Sequence, residues 1–205
     1  MRDDNVVVTA VLKSLEAYPT AHCRRRASTI TNAQAHAGHR YVARFDIKDC
    51  FPSVSLAHVT RAVARVGLDP AITSLVASLV TFRGGLPQGA PTSMAILNAV
   101  LAPIDSRLSD AALTHGVSYT RYVDDICVSG NRTHGFFERA VRLELANVRL
   151  NLSPEKTRYW GPRLTPVVGG IAIGRRPSAQ LTYLRKVRKP LDAVGQSGAV
   201  PTEAL

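Results

Sequence analysis

Cysteine is scarce in this chain of 205 residues: Cys23, Cys50 and Cys127 stand far apart and form no CxxC pair. That excludes a disulfide scaffold and a cysteine zinc site, and it fits a reducing compartment, the cytoplasm. Long apolar runs are absent too. Nothing approaches the roughly twenty apolar residues of a membrane span, and the first stretch of the chain lacks the basic start, apolar block and cleavage site of a signal peptide. No internal repeat or low-complexity linker interrupts the sequence. Acidic side chains are few, 15 against 26 basic ones, for a net charge of +11. Such a balance favours polyanionic partners, nucleic acid first, although an Arg-rich and Ala-rich composition gives the same excess without a partner. The basic residues cluster at Arg24, Arg25 and Arg26, and again at Arg175, Arg176, Arg185, Lys186, Arg188 and Lys189. With 45% hydrophobic and 20% charged residues, the make-up is that of one soluble domain with its own core.

Periodicity sketches an α+β order. The spacing predicts a helix over 6–17, closed by Pro19, and an alternating strand over 40–47. A helix capped by Ser55 and stopped at Gly67 follows, then another over 70–82. GGLPQGAP reads as a loop, after which Thr92 or Ser93 caps a long helix through about Leu113. A hairpin over 117–129 and a helix over 134–148 come next. TPVVGGIAIG forms a strand or hairpin, and AQLTYLRKVRKPL a final basic helix ahead of a frayed tail. Strands separated by amphipathic helices, with an antiparallel hairpin among them, imply helices packed on an antiparallel sheet.

RYVDDICVSG sets Asp124 and Asp125 side by side between two strand-like segments. Adjacent strand residues point to opposite faces, so in mid-strand the two would share no partner; at a hairpin tip both can lean toward one point. Two anions there repel unless a cation lies between them, or else the pair is a plain exposed turn. FDIKDCFPSV places Asp46 at a strand end, within reach of an ion held by a neighbouring hairpin. Three carboxylates suffice for two hard divalent cations whose shells are completed by phosphate and water. Such a pair of ions clamps the attacking and leaving oxygens of a phosphoryl transfer. Asp49 is a rival ligand, or a turn or cap group. In GGLPQGAPTS the glycines let backbone approach a planar ligand, and Gln88 offers a donor and an acceptor; alone, the stretch is a loop before a helix. In NLSPEKTR, Lys156 is a solvated lysine or, beside a phosphoryl-transfer site, a proton donor to departing pyrophosphate.

These four blocks, in this order, resemble the palm of reverse transcriptases. Tyr122, Val123, Asp124 and Asp125 match the Tyr-x-Asp-Asp motif, FDIKDCFPSV the first catalytic motif, LPQGAPTS the second, and LSPEKT the lysine turn that follows. Any one match is weak, whereas four in colinear order are specific. Asn32, Ala33 and His36 match the Asn-Ala-x-x-His of the bacterial retron and retron-like branch. VVG at 167–169 corresponds to its Val-Thr-Gly element, with Val168 in place of Thr.

The resemblance implies a polymerase palm over 46–174, an antiparallel sheet with helices packed on one face. It also implies partial fingers over 1–45 and a thumb stub and tail over 175–205, both shorter than the family's. The implied activity is RNA-directed DNA synthesis, in which a primer 3′-hydroxyl attacks the α-phosphate of a dNTP with two Mg²⁺ ions, or Mn²⁺ in their place. Asp46, Asp124 and Asp125 would bind metal and Lys156 would be the general acid. Ile47, Phe51, Gln88 and Gly89 would hold the nucleotide, with Phe51 under the sugar; Tyr122, Arg185 and Lys186 would contact primer and template. Implied partners are an RNA template, a DNA or RNA primer, dNTPs, and a non-coding RNA or a chain supplying fingers and thumb, with antiviral defence as the setting and no membrane. Two rivals stand beside this reading. An RNA-templated RNA polymerase must admit a 2′-hydroxyl, which a bulky Phe51 opposes. A non-catalytic RNA-binding or defence scaffold would have to keep three carboxylates whose charge is costly without metal.

Overall fold

The alternation in YVARFD divides its side chains between the two faces of a sheet. A computed structural model, which describes residues 8–12, 14–15, 19–22, 27–132, 135–174 and 177–179, makes this segment strand β1 (Tyr41–Asp46). β1 lies between β3 (Asp125–Gly130) and β4 (Arg158–Trp160), and β2 (Ser118–Tyr122) completes an antiparallel sheet ordered β2-β3-β1-β4. Ala43 and Phe45 of β1, Tyr119 of β2, and Ile126 and Val128 of β3 join the main core. Helices α3 (Leu56–Ala64), α4 (Pro70–Val80), α5 (Ser93–Thr114) and α6 (Gly135–Asn147) supply most of the rest of that core.

The opposite face has a partial cover of its own, beyond the single helical layer expected. Val42 and Cys127 pack there with Ala33 of α1 (Thr29–Gln34) and with Val168 and Ile173. The last two belong to a small antiparallel sheet of β5 (Val167–Val168), β6 (Ile171–Ile173) and β7 (Pro177–Ala179). Gly169 and Gly170 turn β5 into β6 with φ of 54° and 79°, the left-handed pair that a two-residue hairpin turn requires.

Local signals explain the helix ends. Ser55 caps α3 in a reciprocal box with His58, and Asp69 accepts from the Ala71 N–H ahead of α4. The short helix α2 (Cys50–Ser53) follows β1 directly. Within α5 lies Pro103. A proline has no N–H for the carbonyl four residues back, here that of Ala99. The guanidinium of Arg65, at the C-cap of α3, donates to that carbonyl instead.

Of the helix expected over 6–17, residues 8–12 and 14 are helical, Leu15 is not, and the others lie outside the described residues. Ala179 ends β7 where the final basic helix was expected to begin, and the rest of that segment is outside the description. Among the described residues, no helix is long and apolar enough to cross a membrane.

Candidate active site

The ladder between β1 and β3 sets Asp46 opposite Asp125, and the ladder between β2 and β3 sets Tyr122 opposite Asp125. Directly opposed residues share a face, so Tyr122, Asp125 and Asp46 form one rung at the end of the sheet. Asp124 sits beside that rung in the two-residue turn, with Val123. Its carbonyl accepts the Ile47 N–H at 3.0 Å, which ties the turn to the chain leaving β1. Adjacent carboxylates therefore meet because one lies in the turn and the other begins a strand. Val123 takes φ of +60°, a conformation that is strained for a β-branched residue.

A cleft of about 490 Å³ opens here, lined by Asp49, Phe51, Gln88, Tyr122, Asp124, Asp125 and Lys156, and also by Thr29 and Gly169. Asp46 is 6% exposed and is reached through Lys156. The Lys156 Nζ lies 3.1 Å from Asp46 Oδ1 as an ion pair and donates its hydrogen bond to Oδ2 at 3.3 Å. Asp46 Oδ1 is thereby left buried with no hydrogen bond among the described residues. Asp49, the rival ligand, takes a left-handed φ of 44° ahead of α2 and makes no side-chain capping bond among the described residues.

The Gly/Pro loop is clamped onto α2. A Cβ on Gly85 would stand 2.5 Å from the Pro52 carbonyl oxygen, so only glycine permits the approach. The Leu86 N–H donates to the Phe51 carbonyl at 3.1 Å, and Ser93 Oγ donates to the Pro87 carbonyl at 2.6 Å. Gln88 and Phe51 thus face one cleft. Gly89, at φ of 85°, lies beside Gln88 in the chain but off the cleft lining. The Ile47 side chain is 1% exposed in the main core, which leaves only its backbone for a ligand. Arg185 and Lys186 lie outside the described residues, as do Arg24, Arg25, Arg26, Arg175, Arg176, Arg188 and Lys189.

Burial raises the Asp124 carboxyl above its usual range, and Asp46 adds to the rise against a local backbone hydrogen bond, Lys156 and Arg121. The Asp125 carboxyl is pushed up to about 6, by burial first and by Asp124 and Asp46 next, while Arg44 at 3.7 Å opposes the shift. Lys156 is raised by its bond to Asp46 and so holds its proton. A buried carboxylate oxygen without a hydrogen bond, beside two carboxylates whose charge is disfavoured, is a setting that a cation relieves. Among the described residues no three His, Cys, Asp or Glu side chains close into a ligand cage of their own. The donors instead line an open cleft, where incoming phosphate and water oxygens fill the remaining positions of a hard cation.

The family model described as "Reverse transcriptase (RNA-dependent DNA polymerase)" matches residues 2–184. The chain belongs to that family. It is 31% identical over 193 residues to the retron Mx65 reverse transcriptase of Myxococcus xanthus, covering 82% of this chain and 45% of the relative. Against the retron Mx162 reverse transcriptase of the same organism it is 37% identical over 142 residues, covering 60% and 29%. Against the retron Ec86 reverse transcriptase of Escherichia coli it is 27% identical over 176 residues, covering 82% and 54%. The chain thus spans about half or less of the length of these curated relatives. Among solved structures, the apo telomerase of Candida tropicalis matches with a TM-score of 0.57 at 11% identity, covering 86% of this chain and 36% of that one. That likeness is one of fold, the α+β polymerase palm.

Reading the reverse transcriptase motifs along the chain missed the groups that hold the site in place. Arg121 is 1% exposed and grips Asp105 of α5, with Nε at 3.0 Å from Oδ1 and Nη2 at 2.7 Å from Oδ2. Tyr119 donates to the same carboxylate at 2.7 Å. The available signal was a period-2 Arg on the core side of β2 and an Asp on the apolar stripe of α5. Arg44 could likewise have been found two residues before Asp46, on the same strand face.

Proposed function

We propose that this chain is the catalytic palm of a retron-type reverse transcriptase, which extends a primer 3′-hydroxyl with dNTPs on an RNA template. The observation that carries the reading is the rung itself. Asp46 faces Asp125 across two strands, and Asp124 lies in the adjoining turn, on one cleft with Phe51, Gln88 and Lys156. Asp46, Asp124 and Asp125 would hold two divalent cations, Mg²⁺ or alternatively Mn²⁺, which when bound neutralise phosphate charge and favour the attacking alkoxide.

The chain's own residues supply the remaining work. Lys156, kept protonated beside Asp46, gives its proton to the departing pyrophosphate. Phe51 packs against the deoxyribose, where a 2′-hydroxyl would collide with the ring. Gln88 hydrogen-bonds the nucleotide, with Gly89 and the Ile47 backbone beside it, and Tyr122 backs the primer terminus. Arg185 and Lys186 would run along the primer–template duplex as phosphate contacts. Residues 1–45 would serve as partial fingers and 175–205 as a thumb stub. A non-coding RNA or a separate chain would complete the grip on a DNA or RNA primer in the cytoplasm, in a defence setting. Phe51 on the cleft speaks against an RNA polymerase, and three carboxylates in place speak against a bare scaffold.

Primer extension on an RNA template tests this, using the chain alone and the chain supplemented with longer flanking sequence. Extension should require Mg²⁺ or Mn²⁺ and vanish in Asp124→Asn. The same cations, with nucleic acid present, should raise the melting temperature of the wild type and not of the variant, by about 2.7 kcal/mol of stabilisation at a hundredfold excess over Kd. A melting curve indifferent to metal, together with no extension in either form, would overturn the reading.

A further inference from the structure

We infer that Arg121 is a positioning residue for the carboxylate turn: anchored on α5, it fixes the peptide that joins Val123 to Asp124. The inference rests on the palm reading above and deepens it. Arg121 and Asp105 are both 1% exposed at their side chains. A buried ion pair of this kind is poor value for stability, because apolar residues of similar volume commonly serve the fold as well or better. Its geometry points to another role.

Asp105 takes Nε and Nη2 of the guanidinium, and Asn98 Oδ1 accepts from Nη2 at 3.2 Å. A planar fork held on one edge has its remaining donor direction fixed. That donor, Nη1, lies 2.7 Å from the Val123 carbonyl oxygen. This carbonyl belongs to the peptide whose other end is the Asp124 N–H. Val123 stands at φ of +60°, where a β-branched residue is under strain. A return of Val123 to negative φ would relieve that strain and swing its carbonyl, with the Asp124 carboxylate beyond it, away from the rung. The guanidinium opposes that return by holding the oxygen. Lysine could not take its place, since one ammonium cannot span Asp105 in two bonds and also reach the carbonyl. The same helix begins at Ser93, whose hydroxyl holds the Pro87 carbonyl next to Gln88. One rigid element therefore sets both the nucleotide-side loop and the carboxylate turn.

The decisive variant is the double substitution Arg121→Met with Asp105→Leu, which removes both charges at once and should fold. Arg121→Lys serves if the double variant does not. The kcat of extension should fall on the order of tenfold to a hundredfold with little change in KM for dNTP, and half-saturation by Mn²⁺ should move to higher concentration. Adding Val123→Gly, which adopts positive φ without an anchor, should restore most of the lost rate, a rescue that a purely structural ion pair would not show. Carbonyl ¹³C shifts of Val123 read the turn independently of activity and should leave their wild-type values in the double variant. Unchanged Val123 shifts in a folded double variant would overturn the inference, whether or not the protein extends primers. An inactive wild type whose Val123 shifts still depend on Arg121 would instead place the failure in the palm reading.

Discussion

Acid should destabilise this protein through His36, and the structure sets the size of the effect. The ring is fully buried, with Nδ1 2.7 Å from Ser129 Oγ and Nε2 2.7 Å from Thr120 Oγ1. Thr120 gives its own proton to Asn32 Oδ1, so it must accept from His36 Nε2. Ser129 can then donate to Nδ1 while accepting from His39 Nδ1 at 2.7 Å. This order suits a neutral ring protonated on Nε2. Burial, with His39 and His22 nearby, lowers the His36 pKa from 6.5 to about 3. Between those values the unfolded chain binds a proton that the folded chain refuses, so stability falls as the pH drops, by about 1.4 kcal/mol per unit. From about pH 6.5 to 4.5 the loss is roughly 2.3 kcal/mol. Asp125 acts with the opposite sign. Its carboxyl sits at about 6 in the fold against 3.8 as a model value, so the folded state binds more protons between those values and gains stability as the pH falls. The wild-type curve alone therefore mixes slopes of both signs. The difference from His36→Gln isolates one of them, because glutamine keeps a donor and an acceptor and does not titrate. Urea midpoints measured from about pH 7.5 to 4.5 should show the wild-type advantage shrinking by about 1.4 kcal/mol per unit below 6.5. Parallel curves would refute the neutral buried ring.

Gly85→Ala should cost about 1–3 kcal/mol and raise KM for dNTP, since the methyl would stand 2.5 Å from a backbone oxygen of Pro52; a wild-type KM would contradict the clamp. Phe51→Ala should admit rNTPs at some loss of dNTP affinity, and ready rNTP use by the wild type would remove the steric gate. Arg65→Met should cost about 1 kcal/mol in the wild type and almost nothing beside Pro103→Ala, where a restored N–H serves the Ala99 carbonyl; additive costs in denaturation would refute that link.

The features legible along the chain were those with local causes. The Ser55 cap, the hairpin at Asp124 and Asp125, and the Gly85–Leu86–Pro87 loop follow from residues a few positions apart, and the family resemblance rests on four such stretches. What stayed hidden depends on which strand lies beside which. Nothing in FDIKD or YVDD says that Asp46 and Asp125 share a rung, because register between β1 and β3 is a property of the whole sheet. The pairs Arg121–Asp105, Arg44–Asp125 and His36–Ser129 share that dependence. α1 and β4 escaped for a simpler reason: six and three residues are too few to display a period.

Asp46 and Lys156 touch in the fold but lie 110 positions apart in the chain. A ribosome adding about 5–20 residues per second releases the lysine roughly 5–20 s after the aspartate. Throughout that interval the nascent chain carries its basic excess without a finished cleft. Order of synthesis thus acts as a timer: the contact between Asp46 and Lys156 cannot close until translation has passed position 156.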